Sequence, residues 1–270
     1  MPKQKYVGKM DEGFDKSILV KEKIEEVRRL LEEANSIPNK CFRNICMFSL
    51  IDSLAQEYAN YPSTGSRKTF CDFVIRFQDK YSYLEKVEPV TLFYDYEPNI
   101  KEIEKHPELK DRAPELCSKK LEVSLDDLRI EDETKVEQIL NTNKADELLR
   151  LIERDKGSKE ANKYRRKHSL IFLLYKMRSK AVHELSRMGR DNKWETNHDE
   201  PFYRDVKRIY TRDGNIVSDD VLELVFPNKF IYNLALNVIE NYLSECEKQQ
   251  RLPFENNSNF KRGVVITWND

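Results

Sequence analysis

The chain has 270 residues, 35% of them charged, only seven glycines and a net charge of −1. A chain of this length can bury a full core, and that composition excludes a turn-rich sheet protein in favour of helices. Five cysteines without a close Cys-x-x-Cys pair argue for a reducing compartment. The polar N-terminus is no signal peptide and no run of about 18 apolar residues occurs, so a cytoplasmic protein with no membrane partner is expected.

Residues 1–13 are polar and read as a loose lead. From Asp15 to Asn35, Ile24, Val27, Leu30 and Leu31 fall on one side of a charged helix. It ends at Ser36-Ile37-Pro38, because proline disfavours helix in the residue before it. Residues 40–60 are far more apolar, with Ile45, Phe48, Ile51 (or Leu50), Leu54 and Ala55 at helical spacing. They read as the central buried helix. Asp52 is an acid within it, either solvent-facing or arginine-paired, or else a group that orients a base or lines a cleft, since a buried acid is costly without a partner. After a turn at 61–66, Ser66 can cap a third helix that turns Phe70, Phe73, Val74 and Phe77 inward.

Residues 95–158 differ in character. Asp95 to Glu137 holds 14 acids against 8 bases, cut by Pro98, Pro107 and Pro114. The stretch reads as an acidic insertion with two modest helices, at 124–130 and 133–154. It is a lid, a partner surface or a plain connection. Beyond it, residues 164–190 carry Leu170, Leu174, Met177, Ala181, Leu185 and Met188 at steps of three and four, the stripe of one amphipathic helix. A polar loop covers 190–201. Asp213-Gly214 between β-branched runs signals a small hairpin, although Ser218-Asp219-Asp220 equally suits a helix start. A last helix follows Pro227, with Phe230, Leu234, Val238 and Leu243 (or Tyr242) inward. Residues 251–270 form a tail whose Val264–Trp268 run reads as a docked edge strand or a loose end. The whole is expected to be one mainly α domain, with its helical core at 15–90 and 160–250.

Between Arg150 and Arg190 there are 13 Lys or Arg against four acids, about +9 on a chain of −1. The remainder is therefore near −10, and such a basic band suits a polyanion, RNA or DNA foremost. Arg178 supplies a permanent cation for a phosphate, and His183 can move a proton near neutral pH. Five residues at roughly 100° each leave the pair about 140° apart. Either the helix loosens near His183, or the pair lines a groove reached from both flanks, as between two copies of the helix. His168 reads as a boundary histidine on a basic face. The scatter of His106, His168 and His198 provides no metal site, and no cofactor motif occurs.

The run Leu173-Leu-Tyr-Lys-Met-Arg-Ser-Lys-Ala-Val-His-Glu-Leu185 resembles the signature of HEPN domains, in which a late helix carries Arg, four to six residues, then His. Ile51-Asp-Ser-Leu-Ala55, followed by Ser66-Arg67 and Phe70-x-x-Phe73, adds to the likeness, which covers residues 15–90 and 160–250. One departure is Ser179, where active members often carry Asn, Asp or His. The resemblance implies a HEPN-like helical bundle and a metal-independent RNA endonuclease of the toxin or anti-phage kind. It would work as a homodimer with facing motifs, with an antitoxin or defence-system protein as a further partner. Arg178, His183 and Ser179 would then be catalytic. Tyr175, Lys176, Lys180, Arg187 and Arg190 would position the RNA. Cleavage would leave a 2′,3′-cyclic phosphate and a 5′-hydroxyl. Non-catalytic HEPN modules, which bind RNA, nucleotide or a partner protein, are the alternative.

Overall fold

A computed structural model describes residues 15–59, 66–93, 95–96, 134–183, 198–212 and 215–253, with backbone alone at 66, 180–183, 205–212 and 215–222. The described chain is mainly helical. Helices α1 (Lys16–Ser36), α2 (Lys40–Tyr58) and α3 (Ser66–Phe77) are followed by a 3-10 turn at Ser82–Glu85. Then come α4 (Val136–Leu140), α5 (Lys144–Lys156), α6 (Ser158–Lys167), α7 (Leu170–His183), strands β1 (Phe202–Arg212) and β2 (Asn215–Val225), and α8 (Asn228–Lys248). Among the described residues no helix is long and apolar enough to cross a membrane. The stretch 124–130, much of the acidic segment and the 264–268 run lie outside the described residues.

Capping and periodicity account for the first two helices. The Asp15 carboxylate accepts from the Ser17 N–H at 2.9 Å, and the Asn39 side chain accepts from the Phe42 N–H at 3.1 Å. In α1 the buried stripe is Val20, Ile24, Val27, Leu31 and Ala34. Leu30 lies outside it and is 39% exposed, because it sits about 100° from its neighbour Leu31. Met47 and Asn44 join Phe48, Ile51, Leu54 and Ala55 in the buried face of α2. Asn44 donates across to the Asn228 side-chain oxygen at 2.6 Å, tying α2 to the start of α8.

The most buried helix is α8 rather than α2. Nine of its side chains, from Phe230 to Cys246, are covered, against six in α2. It packs against α1, α2 and α3. Tyr242, with Leu243 beside it, turns inward. Its ring lies 5.1 Å from Phe73, 5.2 Å from Phe77 and 6.0 Å from Tyr58, mostly edge-on as ring quadrupoles prefer. Its hydroxyl donates to the Pro253 carbonyl at 2.6 Å.

The stretch 164–183 is two helices, not one. At His168 the backbone leaves the helical region (φ −113°, ψ 10°). Its carbonyl accepts from the Glu88 N–H at 2.8 Å, and the Leu170 N–H donates to the Lys86 carbonyl at 3.1 Å. A two-sided exchange with residues 86–88 thus replaces the helical ladder, and α7 sets off anew against α2, α3 and the 3-10 turn. Leu170, Ile171 and Leu174 enter the main core, with Met177 packed at its edge.

Val136, Ile139 and Leu140 of α4 also lie in the main core. A second, smaller core gathers Leu148, Leu149, Ile152 and Ala161 of the α5–α6 hairpin onto Leu92 and Tyr96. Gly157 turns that hairpin with φ at +83°, where a side chain is disfavoured. The β1–β2 ribbon pairs Phe202 with Val225 through to Arg212 with Asn215. Two residues are left for the link, as the Asp-Gly signal requires, and each strand runs 11 residues, about 35 Å. Phe202, Tyr203, Val225 and Phe226 bury its base.

Because Phe230 is fully buried in the hub helix, Phe230→Ala is expected to lower unfolding stability by about 3–5 kcal/mol, read from the midpoint of urea unfolding.

Candidate functional site

Arg178 projects from α7 onto α2. Its Nη2 donates to Asp52 Oδ2 at 2.7 Å, and the two side chains are only 12% and 18% exposed. Asp52 is therefore arginine-paired, and its partner is the candidate phosphate ligand itself. The guanidinium carbon lies 5.5 Å from the centroid of the Tyr175 ring, which packs 5.5 Å from Phe70 of α3. Tyr175 is half-buried against the main core, so much of its surface is taken up by packing. Burial pushes the Asp52 carboxyl up, with Arg178 opposing the rise.

The pair is not saturated. Arg178 Nε and Asp52 Oδ1 are both buried without a hydrogen-bond partner. Two atoms of one ion pair lacking partners is unusual, since nearly all buried polar atoms are satisfied. Of the five donors that Arg178 carries, one on Nη2 meets Asp52 and that on Nε meets no partner.

Along α7, Ser179 is half-buried, and Lys176 lies with its Nζ 5.1 Å from the Phe172 ring centroid. The helix is continuous to His183, so it does not loosen there. The His183 Cα is about 7.5 Å further along the axis than that of Arg178 and about 140° around it. Register instead aligns His183 with Phe172, Lys176 and Ser179, at steps of four, three and four. Lys180 is described by its backbone alone, and Arg187 and Arg190 lie outside the described residues.

A second histidine is sealed inside. His168 is 3% exposed. Its Nδ1 sits 3.1 Å from Thr91 Oγ1 and its Nε2 3.0 Å from Asp95 Oδ2. Lys167 also donates to Asp95, at 2.7 Å. Beside it the fully buried Glu88 accepts from the Val90 and Thr91 N–H groups, both at 2.6 Å, and from the Tyr203 hydroxyl. Glu88 thus occupies the amides at the start of the helical residues 89–93, and no donors remain there for a developing oxyanion. The cluster joins the two cores. Composition marked His168 only as a basic-face residue. Its partners lie 77 and 73 residues away, and no local signal points to them.

The basic band is partly neutralised by its own neighbours. Lys163 pairs with Glu160 at 3.2 Å, and Lys167 with Asp95 from outside the band. Arg150 and Arg165 line an open cleft of about 440 Å³ between α5 and α6, where Asp146 and Glu153 also face it. Among the described residues no group of three or more His, Cys, Asp or Glu is placed to hold a metal ion.

No family model, curated protein or solved structure matches this chain.

Two predictions follow from these geometries. Asp52→Ala, by leaving the Arg178 charge unpaired at a mostly buried site, is expected to cost about 3 kcal/mol, and Asp52→Leu with Arg178→Met to recover most of it. Thermal unfolding of these two variants beside the wild type decides whether the pair is coupled. The second concerns pH. Burial holds the His168 imidazole below its ordinary value near 6.5. The folded state therefore binds fewer protons there than the unfolded chain, and this contribution is complete above about pH 6.5 and lost as pH falls through the folded value. For Asp95, hydrogen bonds from Lys167 and His168 outweigh burial and hold it below its ordinary range, which adds the same sign of slope only below about pH 4. Subtracting the stability profile of His168→Gln from that of the wild type should isolate a loss beginning just under pH 6.5. A flat difference would mean that the ring is not buried neutral.

Proposed function

We propose that the chain is a HEPN-like endoribonuclease, metal-independent and homodimeric, acting in toxin or anti-phage defence. The observation that carries this reading is the incompletely satisfied Asp52–Arg178 pair between α2 and α7, on the helix that ends its described span at His183. Asp52 acts as a positioning residue, and it fixes the guanidinium while leaving donors for a phosphate. In the reaction His183 removes the proton from a ribose 2′-hydroxyl. The 2′-oxygen then attacks the adjacent phosphorus, and the bond to the 5′-oxygen breaks. The leaving oxygen takes a proton from the second subunit's copy of the same imidazole. Arg178 carries the charge that builds on the non-bridging oxygens, with Ser179 hydrogen-bonding the phosphate. A composite site of this kind also answers the register on α7. One helix displays its arginine and its histidine about 140° apart, and two copies across a groove bring one of each together.

A second reading has its own observation. With its side chain 12% exposed and already bound to Asp52, Arg178 resembles a structural cation, as in a module that binds RNA, nucleotide or a partner protein without cutting.

Cleavage of a mixed RNA pool by the purified chain tests both. The nuclease reading expects cyclic-phosphate and 5′-hydroxyl ends formed equally well in EDTA. It expects His183→Ala to lose about 10²–10⁴-fold in rate with its circular dichroism unchanged. A wild-type dimer that retains RNA but never cuts it establishes the binding module.

A further inference from the structure

The cleft between α5 and α6, of about 440 Å³, shares no lining residue with the Asp52–Arg178 pair. Leu149 and Ala161, both buried, lie at its floor. Its walls carry four charges. Asp146, Arg150 and Glu153 recur at steps of four and three along one face of α5, and Arg165 stands on α6. Arg150 lies seven residues before Gly157 and Arg165 eight after it. The two are therefore about 10 and 12 Å from the turn along their own helices, on opposite walls. The spacings around Arg150 are those at which ion pairs form on a helix. On these same two helices Lys144 does pair with Glu147, at 3.5 Å, and Lys163 with Glu160, at 3.2 Å. Arg150 pairs with neither Asp146 nor Glu153, and Glu153 accepts from the Ser158 hydroxyl instead. Among the described residues, Arg150, Arg165 and Asp146 thus face the cleft without a partner.

These groups narrow the chemistry of an occupant. An apolar ligand would desolvate charges of both signs and satisfy none. An acidic peptide would answer the arginines but set its own carboxylates against Asp146. A ribonucleotide answers both signs. Its diester oxygens accept from guanidinium groups, and its 2′-hydroxyl donates to a carboxylate. The volume lies within the roughly 300–1,000 Å³ of ligand pockets. Around the cleft, residues 144–167 hold nine Lys or Arg against five acids, an excess that draws a polyanion inward. We propose that the α5–α6 cleft is a second RNA contact. It holds a strand by its phosphates on Arg150 and Arg165, and it tells RNA from DNA through Asp146 and the 2′-hydroxyl. The contact deepens the nuclease reading and rests on it for any role in cleavage, but binding here requires no cutting.

Binding is therefore measured in a His183→Ala background, where no cutting interferes. Fluorescence anisotropy is recorded with a labelled single-stranded RNA and with DNA of the same sequence, across a salt series. Arg150→Gln with Arg165→Gln is expected to weaken RNA affinity at least tenfold. It should also flatten the slope of log K against log salt by about 1.4, two phosphate contacts at about 0.7 each for a single strand. The matched loss of two charges elsewhere, Lys21→Gln with Lys248→Gln, is expected to change affinity less than threefold. The unaltered cleft should prefer RNA to DNA by about fivefold, the worth of one hydrogen bond, and Asp146→Ala should bring that ratio to about one. Both strands carry the same charge, so the ratio does not respond to the charge removed. On unmodified protein, a 4-thiouridine strand should crosslink to peptides of α5 and α6, a readout independent of any variant's folding. RNA binding that ignores Arg150 and Arg165, a preference that survives Asp146→Ala, crosslinks confined to other elements, or no RNA binding at low salt each overturns the proposal. So does displacement of the RNA by polyglutamate at equal charge, which would identify an acidic protein as the partner. Failure of the nuclease reading looks different: the cleft binds RNA as described, and the wild type leaves the bound strand intact.

Discussion

The ion pair between Asp52 and Arg178 is the constraint on which the candidate site depends. Two charged side chains, both less than one-fifth exposed, meet at 2.7 Å where α2 and α7 cross. Desolvating such a pair is expensive, and it adds little net stability over a well-packed apolar substitute. What it does supply is position. With Leu170 and Leu174 in the core below it and Tyr175 against Phe70 beside it, α7 has one rotational setting. That setting turns Arg178 to α2 and leaves Phe172, Lys176 and Ser179 toward the other side. The Nε donor of Arg178 and one oxygen of Asp52 remain buried without partners.

Around this crossing the bundle is held by ordinary packing. α8 runs through its middle, and the rings of Tyr58, Phe73, Phe77 and Tyr242 interlock edge to face. The second core is attached by polar contacts instead. His168, Asp95 and Thr91 on one side, with Glu88 and Tyr203 on the other, lie where the chain pauses between α6 and α7. A satisfied polar joint of this kind is directional, so it fixes the angle at which α7 departs. Apolar packing alone would tolerate a range of angles.

The charge pattern is read differently once partners are known. A stretch of about +9 in sequence becomes, in the fold, a surface in which Lys167 and Arg178 each face a carboxylate from outside the stretch. Local counts of charge therefore overstate the field available to a polyanion.

Much of the architecture was legible from the residues alone. Helical periodicity marked α1, α2, α3 and α8, Asp213-Gly214 marked the ribbon, and the Arg-x4-His spacing singled out Arg178 and His183. These are properties of near neighbours, since a repeat of 3.6 or 2 residues records which face of a segment is apolar. Everything that depends on another segment was decided by the fold. The partner of Arg178 lies 126 residues away. The break at His168 comes from pairing with residues 86–88, not from any helix-breaking residue, and it divided what periodicity presented as one helix. The greater burial of α8 over α2 reflects how many helices surround it, which its own sequence does not record. Arg67 meets the Phe172 ring only because α3 delivers it there. Periodicity reports what a segment needs covered, and tertiary packing alone decides which side chain does the covering.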